Sequence, residues 1–376
     1  MAIAASGTSA DTTSATADVR AAAKAFAASE IEPIAARQDE LAASPLDVYA
    51  RFWEAGLAGS IVDIDRPGYL ADLCVVADEL AYACAGIGTL LILPNFFNRI
   101  VARHLAEPAR SEFLERIGRE PVLTAFAASE ARAGSDFSQL ETEAVRVDGG
   151  YRLTGSKAYS SNLRHADYII VVAKTTSPGP GPSGSLTWFL VPAGAPGATV
   201  GPRWRTFGMR AMDLSPFELR DVFVPDGYRL GAEGGGVGLL SESLGQSRTG
   251  IGAIAVGVAR RARDEVMAYG ASRRLYGGKL HKLQDYRFRI AQLTVDVAAA
   301  ESLVQRSAAV YDSGRPHTLE ASIAKLYAGQ MAMRVTVEAS GMLGSAGYTG
   351  QTVVEKLVRD ARHTGIVEGT DPTHKE

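Results

Sequence analysis

Cysteine is nearly missing from this chain. The two that occur in 376 residues, Cys74 and Cys84, fall in one apolar, alanine-rich stretch. That setting suits two buried free thiols better than a disulfide, and no cysteine–histidine spacing resembles a metal site. The six histidines are scattered and are expected at surface or packing positions. A basic excess is missing too: 39 Lys and Arg face 42 Asp and Glu, for a net charge of −3. Nucleic acid is therefore not an expected partner. Long apolar runs are also absent, and the longest, around Gly86 to Pro94, is too short to span a bilayer. Residues 1–17 are rich in Ala, Ser and Thr, with neither the charged start nor the apolar core of a secretion signal. The expectation is a cytoplasmic protein with no membrane span, whose residues 1–17 are disordered.

What is present falls into three textures. Residues 18–120 are rich in Ala, Leu, Glu and Arg without strand alternation, which predicts a helical domain. Ser44-Pro45 has the form of a helix start, with Ser as N-cap and Pro at the first helical position. Leu57-Ala58-Gly59 and Pro67-Gly68 punctuate the helices. Residues 121–232 change to short apolar runs with tight turns. Val145-Arg146-Val147, Asp148-Gly149-Gly150 and Tyr151-Arg152-Leu153 predict a hairpin. Tyr168 to Val172, Leu186 to Val191, Phe217 to Leu219 and Val222 to Pro225 have strand character, and the Pro/Gly/Ser stretch from Ser177 to Ser185 joins two of them. This pattern predicts a small antiparallel barrel or sandwich. Over residues 233–376 a helical period returns. The stripes are Ile251, Ile254, Val258, Ala262 and Val266; Ile290, Leu293, Val297, Ala300 and Val304; and Ile323, Tyr327, Met331 and Val335. Such stripes make a helical bundle with apolar surface left for another subunit.

The segment with the most chemical content is Arg359-Asp360-Ala361 followed by Gly365-Ile366-Val367-Glu368-Gly369-Thr370. One carboxylate sits at a helix exit between apolar residues and a Gly-Thr pair. Desolvation by Ile366 and Val367 is expected to raise the pKa of Glu368 into the range of a useful base. Gly369 permits close approach of a bound group, and Thr370 offers a hydroxyl. Alone, a Glu before Gly at a helix end is more often simply solvated.

Four further motifs, in order, give that segment a context. Phe126-Ala127-Ala128-Ser129-Glu130-Ala131-Arg132-Ala133-Gly134-Ser135-Asp136 is followed by Gly155-Ser156-Lys157-Ala158-Tyr159-Ser160-Ser161-Asn162. Then come Ser247-Arg248-Thr249 and, twenty-five residues beyond Arg248, Arg273-Arg274-Leu275-Tyr276-Gly277 with Gln284. From about Arg20 to Thr370 the chain resembles the acyl-CoA dehydrogenase family of flavoproteins. That resemblance implies a mostly α protein with a helical N-terminal domain, a middle β-domain and a C-terminal four-helix bundle, binding FAD at a subunit interface.

The first motif is similar to the family's Thr-Glu-Pro-x-Ala-Gly-Ser-Asp, which contacts the flavin edge, phosphates and thioester. It implicates Phe126, Ala128, Ser129, Gly134 and Ser135 in cofactor binding, Ser135 also touching substrate. Ser129 keeps the usual Thr hydroxyl, and Ala131 replaces Pro. The second resembles Gly-x-Lys-x-Trp-Ile-Thr-Asn, so Tyr159 would cover the flavin and Ser161 would donate to N5. The fourth implies that Arg273 holds the FAD pyrophosphate of a neighbouring subunit, with Tyr276 and Gln284 beside it. Arg248 would steady the base and the thioester end, although Leu244-Gly245-Gln246 lacks the acidic residue common there. Gly341 to Tyr348 stands where the family has Gln-x-x-Gly-Gly-x-Gly, leaving Gly344 and Gly347 for backbone approach to FAD. Asp63-Ile64-Asp65-Arg66-Pro67-Gly68 replaces a common Glu-Tyr-Gly-Gly loop.

The activity implied is α,β-dehydrogenation of an acyl-CoA or acyl-carrier-protein thioester, an oxidation of a CH–CH group. Glu368 would take the α-proton and flavin N5 the β-hydride. The Glu368 N–H and a ribityl hydroxyl would hold the carbonyl oxygen, and Thr370 would lie near the cofactor. The resemblance further implies a homodimer or homotetramer and electron transfer to an electron-transfer flavoprotein or another acceptor. Two alternatives stay open: a flavin oxidase or monooxygenase of the same fold, against which Glu368 argues, and a non-catalytic subunit of a hetero-oligomer.

Overall fold

The computed structural model describes residues 9–58, 66–175 and 185–375, with side chains from Ala17 onward. Gly59, Asp63-Ile64-Asp65 and all of the Ser177–Ser185 connection except Ser185 lie outside the described residues. Helix α1 (Ser9–Phe26) starts inside the segment expected to be disordered. It is followed by α2 (Ala35–Leu41), α3 (Leu46–Glu54), α4 (Tyr69–His104) and α5 (Ala109–Arg119). Helix α3 begins one residue later than the Ser-Pro signal implies: Pro45 is still non-helical, with ψ 87°, and the Ser44 hydroxyl caps nothing.

Gly68, at φ +73°, turns the chain into α4. The first amides of that helix, orphaned by geometry, are answered from far away in sequence. Asp312 accepts from the N–H of Leu70 at 3.0 Å and of Ala71 at 2.9 Å. Extended backbone at Cys84 divides α4 into two segments. The helix is long and apolar enough to cross a membrane, yet 89% of its most apolar window is buried inside this fold. Both cysteines are free and buried, and burial pushes the Cys74 thiol well above its usual range.

The middle region holds β1 (Thr124–Ala127), β2 (Glu143–Val147), β3 (Gly150–Ser161), β4 (Tyr168–Lys174), β5 (Leu186–Pro192), β6 (Ala198–Val200), β7 (Leu214–Pro225) and β8 (Arg229–Leu230). They form one sheet ordered β6-β7-β3-β2-β4-β5-β8, with β1 beside β4. The expected hairpin is β2–β3, turning through Asp148-Gly149 with Gly149 at φ +73°. The two runs ending at Pro225 are one strand, β7, interrupted by Asp221 at φ +56°. The sheet is mixed rather than wholly antiparallel, because β1 runs parallel to β4. The reason lies in β4, whose Ile169–Ala173 stretch is buried throughout. A strand covered on both faces loses the in–out alternation of an antiparallel edge and takes parallel neighbours readily.

The last region is helical: α6 (Gly236–Ser272), a two-strand hairpin β9 (Arg274–Leu275) and β10 (Gly278–Lys279), then α7 (Gln284–Asp312), α8 (Thr318–Leu343), α9 (Ser345–Tyr348) and α10 (Val354–Thr364). The α6 stripe is buried in full, the α7 stripe except for half-buried Ile290, while Ile323 of the α8 stripe faces solvent. Regions meet at named points. Phe126 stacks on Phe97 of α4, ring centroids 5.3 Å apart, and lies 4.9 Å from Trp188. The backbone N–H of Met209 donates to Asp360 at 2.6 Å, and a methyl on Gly208 would sit 2.1 Å from the Arg359 carbonyl oxygen. Arg359 also reaches Asp39 of α2 at 2.7 Å. Helix α10 is thus fastened from two sides just before the segment that carries Glu368.

Candidate active site

Helix α10 ends where the amides of Ile366 and Val367 both return to the His363 carbonyl, at 2.9 and 3.1 Å. The next two residues take positive φ, Glu368 at +58° and Gly369 at +104°. A left-handed Glu is a strained choice that surrounding contacts must hold. Here they turn the carboxylate inward, where its Oε2 accepts from the Ser247 hydroxyl of α6 at 2.8 Å. Burial raises the Glu368 pKa, opposed by the Ser247 hydrogen bond and by the positive charges of Arg248 and Lys325. The direction agrees with the sequence reading; the source differs in part. Ile366 is 49% exposed, while Val367 packs on the core, so the neighbouring helices supply the rest of the desolvation.

Three side chains grip the same turn. Arg248 Nε donates to the Glu368 carbonyl at 3.1 Å and its guanidinium reaches Ser322 of α8 at 3.3 Å. Lys325 Nζ donates to the Gly369 carbonyl, and His374 Nε2 lies 3.0 Å from that same oxygen. Arg248 was legible in the sequence. Lys325 and His374 were not; the only signal for Lys325 is a cation in the alanine-rich first half of α8.

The middle region reaches this corner through hydroxyls. Thr373 donates to Ser135 at 2.9 Å and lies 3.2 Å from the Thr370 hydroxyl. The fold therefore brings Ser135, Thr370, Arg248 and Glu368 to one corner. Gly134 is exposed and a methyl there would meet nothing. An ion pair that the motif did not announce supports the Ser129–Gly134 loop: Lys157 Nζ bonds Glu130 at 2.7 Å and the Ala128 carbonyl at 3.1 Å. Both are buried, and Glu130 also accepts from the Glu141 and Thr142 amides. Beside this loop the Ala158 amide donates to the Ser129 carbonyl at 2.9 Å. The Phe126 ring, in contrast, is spent on packing between Phe97 and Trp188; any contact it makes with a bound group falls to its backbone.

Tyr159 projects from β3, 57% exposed, its ring 5.9 Å from that of Trp204. Among the described residues the Ser129 and Ser161 hydroxyls have no partner. An exposed aromatic together with two free hydroxyls fits a planar, polar-edged group such as a flavin. Arg273, Tyr276 and Gln284 lie elsewhere. Arg273 follows the last residue of α6, about 38 Å from Arg248 at 1.5 Å per residue. All three are exposed; Tyr276 is 89% exposed at φ +49°. Gly344 is exposed with φ +61°, free for backbone approach. Gly347 is not: a methyl there would lie 2.6 Å from the Ser340 carbonyl, so its bare Cα serves the chain's own packing.

A cavity of about 630 Å³ is lined by Arg66, Arg99, Arg103 and Arg315 together with Glu242 and Asp312. Arg99 is buried, its guanidinium 4.0 Å over the Tyr69 ring, with Nε and one Nη unpartnered among the described residues. Ser241 and Thr318 line this cavity. Helical spacing puts Ser241, Gly245 and Arg248 on one face of α6, and Thr318, Ser322 and Lys325 on one face of α8. The cavity walls therefore run on into the residues that grip Glu368. At Gly245, where the sequence lacks an acid, the ring of His317 fills the space; a methyl would lie 2.3 Å from its Nε2.

A helical domain, a sheet domain and a bundle with a desolvated carboxylate set against its helices define a class, and comparison with known proteins places the chain in it. Three family models match end to end: the acyl-CoA dehydrogenase N-terminal domain over residues 13–120, the middle domain over 125–222 and the C-terminal domain over 234–376. The chain belongs to the acyl-CoA dehydrogenase family, oxidoreductases that act on CH–CH groups. It is 33% identical to cyclohexane-1-carbonyl-CoA dehydrogenase of Geobacter metallireducens over 345 residues, 91% of this chain and 90% of that one. It is 30% identical to a short-chain-specific acyl-CoA dehydrogenase of Clostridium acetobutylicum over 361 residues, 95% of each. The fold matches butyryl-CoA dehydrogenase of Megasphaera elsdenii with a TM-score of 0.91 and 28% identity, over 100% of this chain and 98% of that one.

Proposed function

We propose that this protein is an FAD-dependent dehydrogenase of acyl thioesters in which Glu368 removes the α-proton. The observation that carries the proposal is the Glu368 carboxylate, desolvated enough to be raised in pKa yet held at one oxygen by Ser247. A thioester α-proton is weakly acidic, so a base must be both positioned and basic near neutral pH. Ser247 and the gripped turn serve the first need, burial the second. Arg248, through the Glu368 carbonyl, steadies the residue whose own N–H would meet the thioester oxygen. FAD, when bound, supplies the two-electron acceptor for the β-hydride. Tyr159 would cover its ring, with Ser129 and Ser161 at its polar edge and the Phe126–Ala128 backbone, Gly134 and Ser135 along it.

The arginine-rich cavity suits the phosphorylated arm shared by coenzyme A and acyl carrier proteins, leading its thioester along α6 toward Glu368. Arg273, Tyr276, Gln284 and Gly344 would serve the cofactor of a neighbouring chain, because the length of α6 keeps Arg273 away from the Glu368 of its own chain. A homodimer or homotetramer then makes two complete sites from two incomplete ones, and an electron-transfer flavoprotein or another acceptor reoxidises the flavin. The test is direct. Purified protein should be yellow, with about one FAD per chain, and should bleach anaerobically when mixed with an acyl-CoA or acyl-carrier-protein thioester. A folded protein that stays colourless with added FAD, or a flavin that no thioester bleaches, rejects the reading.

A further inference from the structure

The turn that carries Glu368 is held by an arginine, a lysine and a histidine, and the lysine makes no other hydrogen bond among the described residues. Arg248, from α6, holds the Glu368 carbonyl and also bonds Ser322. His374 holds the Gly369 carbonyl from the last turn of the described chain. Lys325 comes from a third direction, α8. It is 1% exposed, and among the described residues it forms no ion pair and makes one hydrogen bond, to the Gly369 carbonyl. An ammonium is costly to bury without a carboxylate beside it. A small polar or apolar side chain would fill the same place on an alanine-rich helix at less cost. One turn further along α8, Gly329 brings that helix against the chain just ahead of Glu368: a methyl there would lie 3.1 Å from the Thr364 carbonyl. Helix α8 thus forms a wall of the Glu368 corner, and Lys325 is the charge set into it.

We infer that Lys325 is a positioning residue for the base: it fixes the left-handed Glu368–Gly369 turn through the Gly369 carbonyl and places a positive charge behind the carboxylate. The inference rests on the reading of Glu368 as the base and adds to it a residue that touches neither substrate nor cofactor. The charged and titratable groups around the corner are Arg248 from α6, Lys325 from α8, His363 from α10, and Asp371 and His374 after Glu368. Burial lowers both histidines to about 4, so at neutral pH they are uncharged, and His374 grips the turn as a neutral Nε2–H donor. Burial lowers Lys325 to about 8, against the pull of Asp371 and Glu368. At neutral pH Arg248 and Lys325 are therefore the cations that oppose the desolvation of Glu368. Removing the Lys325 charge must raise the Glu368 pKa further.

The test compares the wild type with Lys325→Met, Lys325→Gln and Lys325→Arg, each loaded with FAD. Flavin reduction by a thioester is followed by stopped flow from pH 5.5 to 9, and amide hydrogen exchange is followed over residues 366–375. Lys325→Met should keep its flavin, exchange faster in that segment and reduce flavin about 10- to 100-fold more slowly, the scale of a misplaced catalytic group. Its acid limb should move to higher pH. Lys325→Arg should recover rate and profile. Lys325→Gln, a donor without charge, should recover segment order but leave the acid limb displaced. A folded Met variant with wild-type exchange, rate and pH profile overturns the inference. So does failure of all three variants to fold, or a loss of order spread evenly over the chain, which assigns Lys325 to general stability. If wild-type flavin resists every thioester while the Met variant still loosens residues 366–375, the dehydrogenase reading fails and the hold on the turn stands.

Discussion

The two ends of helix α6 are built on opposite plans. Near its start, Ser247 and Arg248 meet a carboxylate, a lysine and a histidine drawn from the last third of the chain, and Thr373 ties that corner to Ser135 of the sheet domain. The Glu368 carboxylate and the Glu368 and Gly369 carbonyls there all find partners within one chain. At the other end, Arg273, Tyr276 and Gln284 stand in solvent, Tyr276 in a left-handed conformation at φ +49°. The first end is complete as a single chain can make it; the second makes sense as half of something. A desolvated carboxylate needs neighbours packed around it, whereas exposed side chains stay free for a ligand or a partner.

The sharpest break of that comparison is Glu368→Gln, which leaves shape and hydrogen bonding and removes the proton acceptor. Anaerobic flavin reduction should slow by about 10²–10⁴, the scale of a general base, with FAD content and visible spectrum unchanged. A near-normal rate with normally bound FAD would return Glu368 to the role of a helix-end residue. At the opposite end, Arg273→Ala should weaken FAD retention by about 10- to 100-fold, the worth of one charge-assisted contact, and loosen the oligomer with it. Flavin titration and analytical ultracentrifugation report both, and a stable monomer with full flavin would contradict the shared site. Together the two variants should dissociate: one keeps flavin and loses chemistry, the other loses flavin first.

A smaller effect probes the corner alone. Ser247→Ala removes a hydrogen bond to the ionised form of Glu368, so the carboxylate pKa, already raised by burial, should climb further. The base works only when ionised. Activity should therefore fall away at a higher pH on the acid side and stay unchanged on the alkaline side, by up to about 1 unit for one hydrogen bond. A pH–rate profile that overlays the wild type would show that Ser247 does not touch the working carboxylate.

Much of this was legible in the residues. The hydrophobic periods of α6 and α7 and the Asp-Gly turn of β2–β3 are local properties, and local patterns survive folding because each segment buries its own apolar face. Glu368, Arg248 and Ser135 could be singled out because motif and spacing coincide. What the sequence could not carry was pairing across distance. That β1 lies parallel to β4, that Ser44 caps nothing, that the Phe126 ring packs between Phe97 and Trp188, and that Gly347 spends its bare Cα on Ser340 all depend on which segments meet. The same holds for the corner itself. The chain by itself determines that a carboxylate follows two apolar residues and precedes a glycine. Only the tertiary structure decides that its desolvation comes partly from neighbouring helices, with Ile366 half in solvent, and that Lys325, 43 positions earlier in sequence, stands behind it. A pKa is set by everything within a few ångströms of the charge, and those neighbours are gathered by packing rather than by order along the chain.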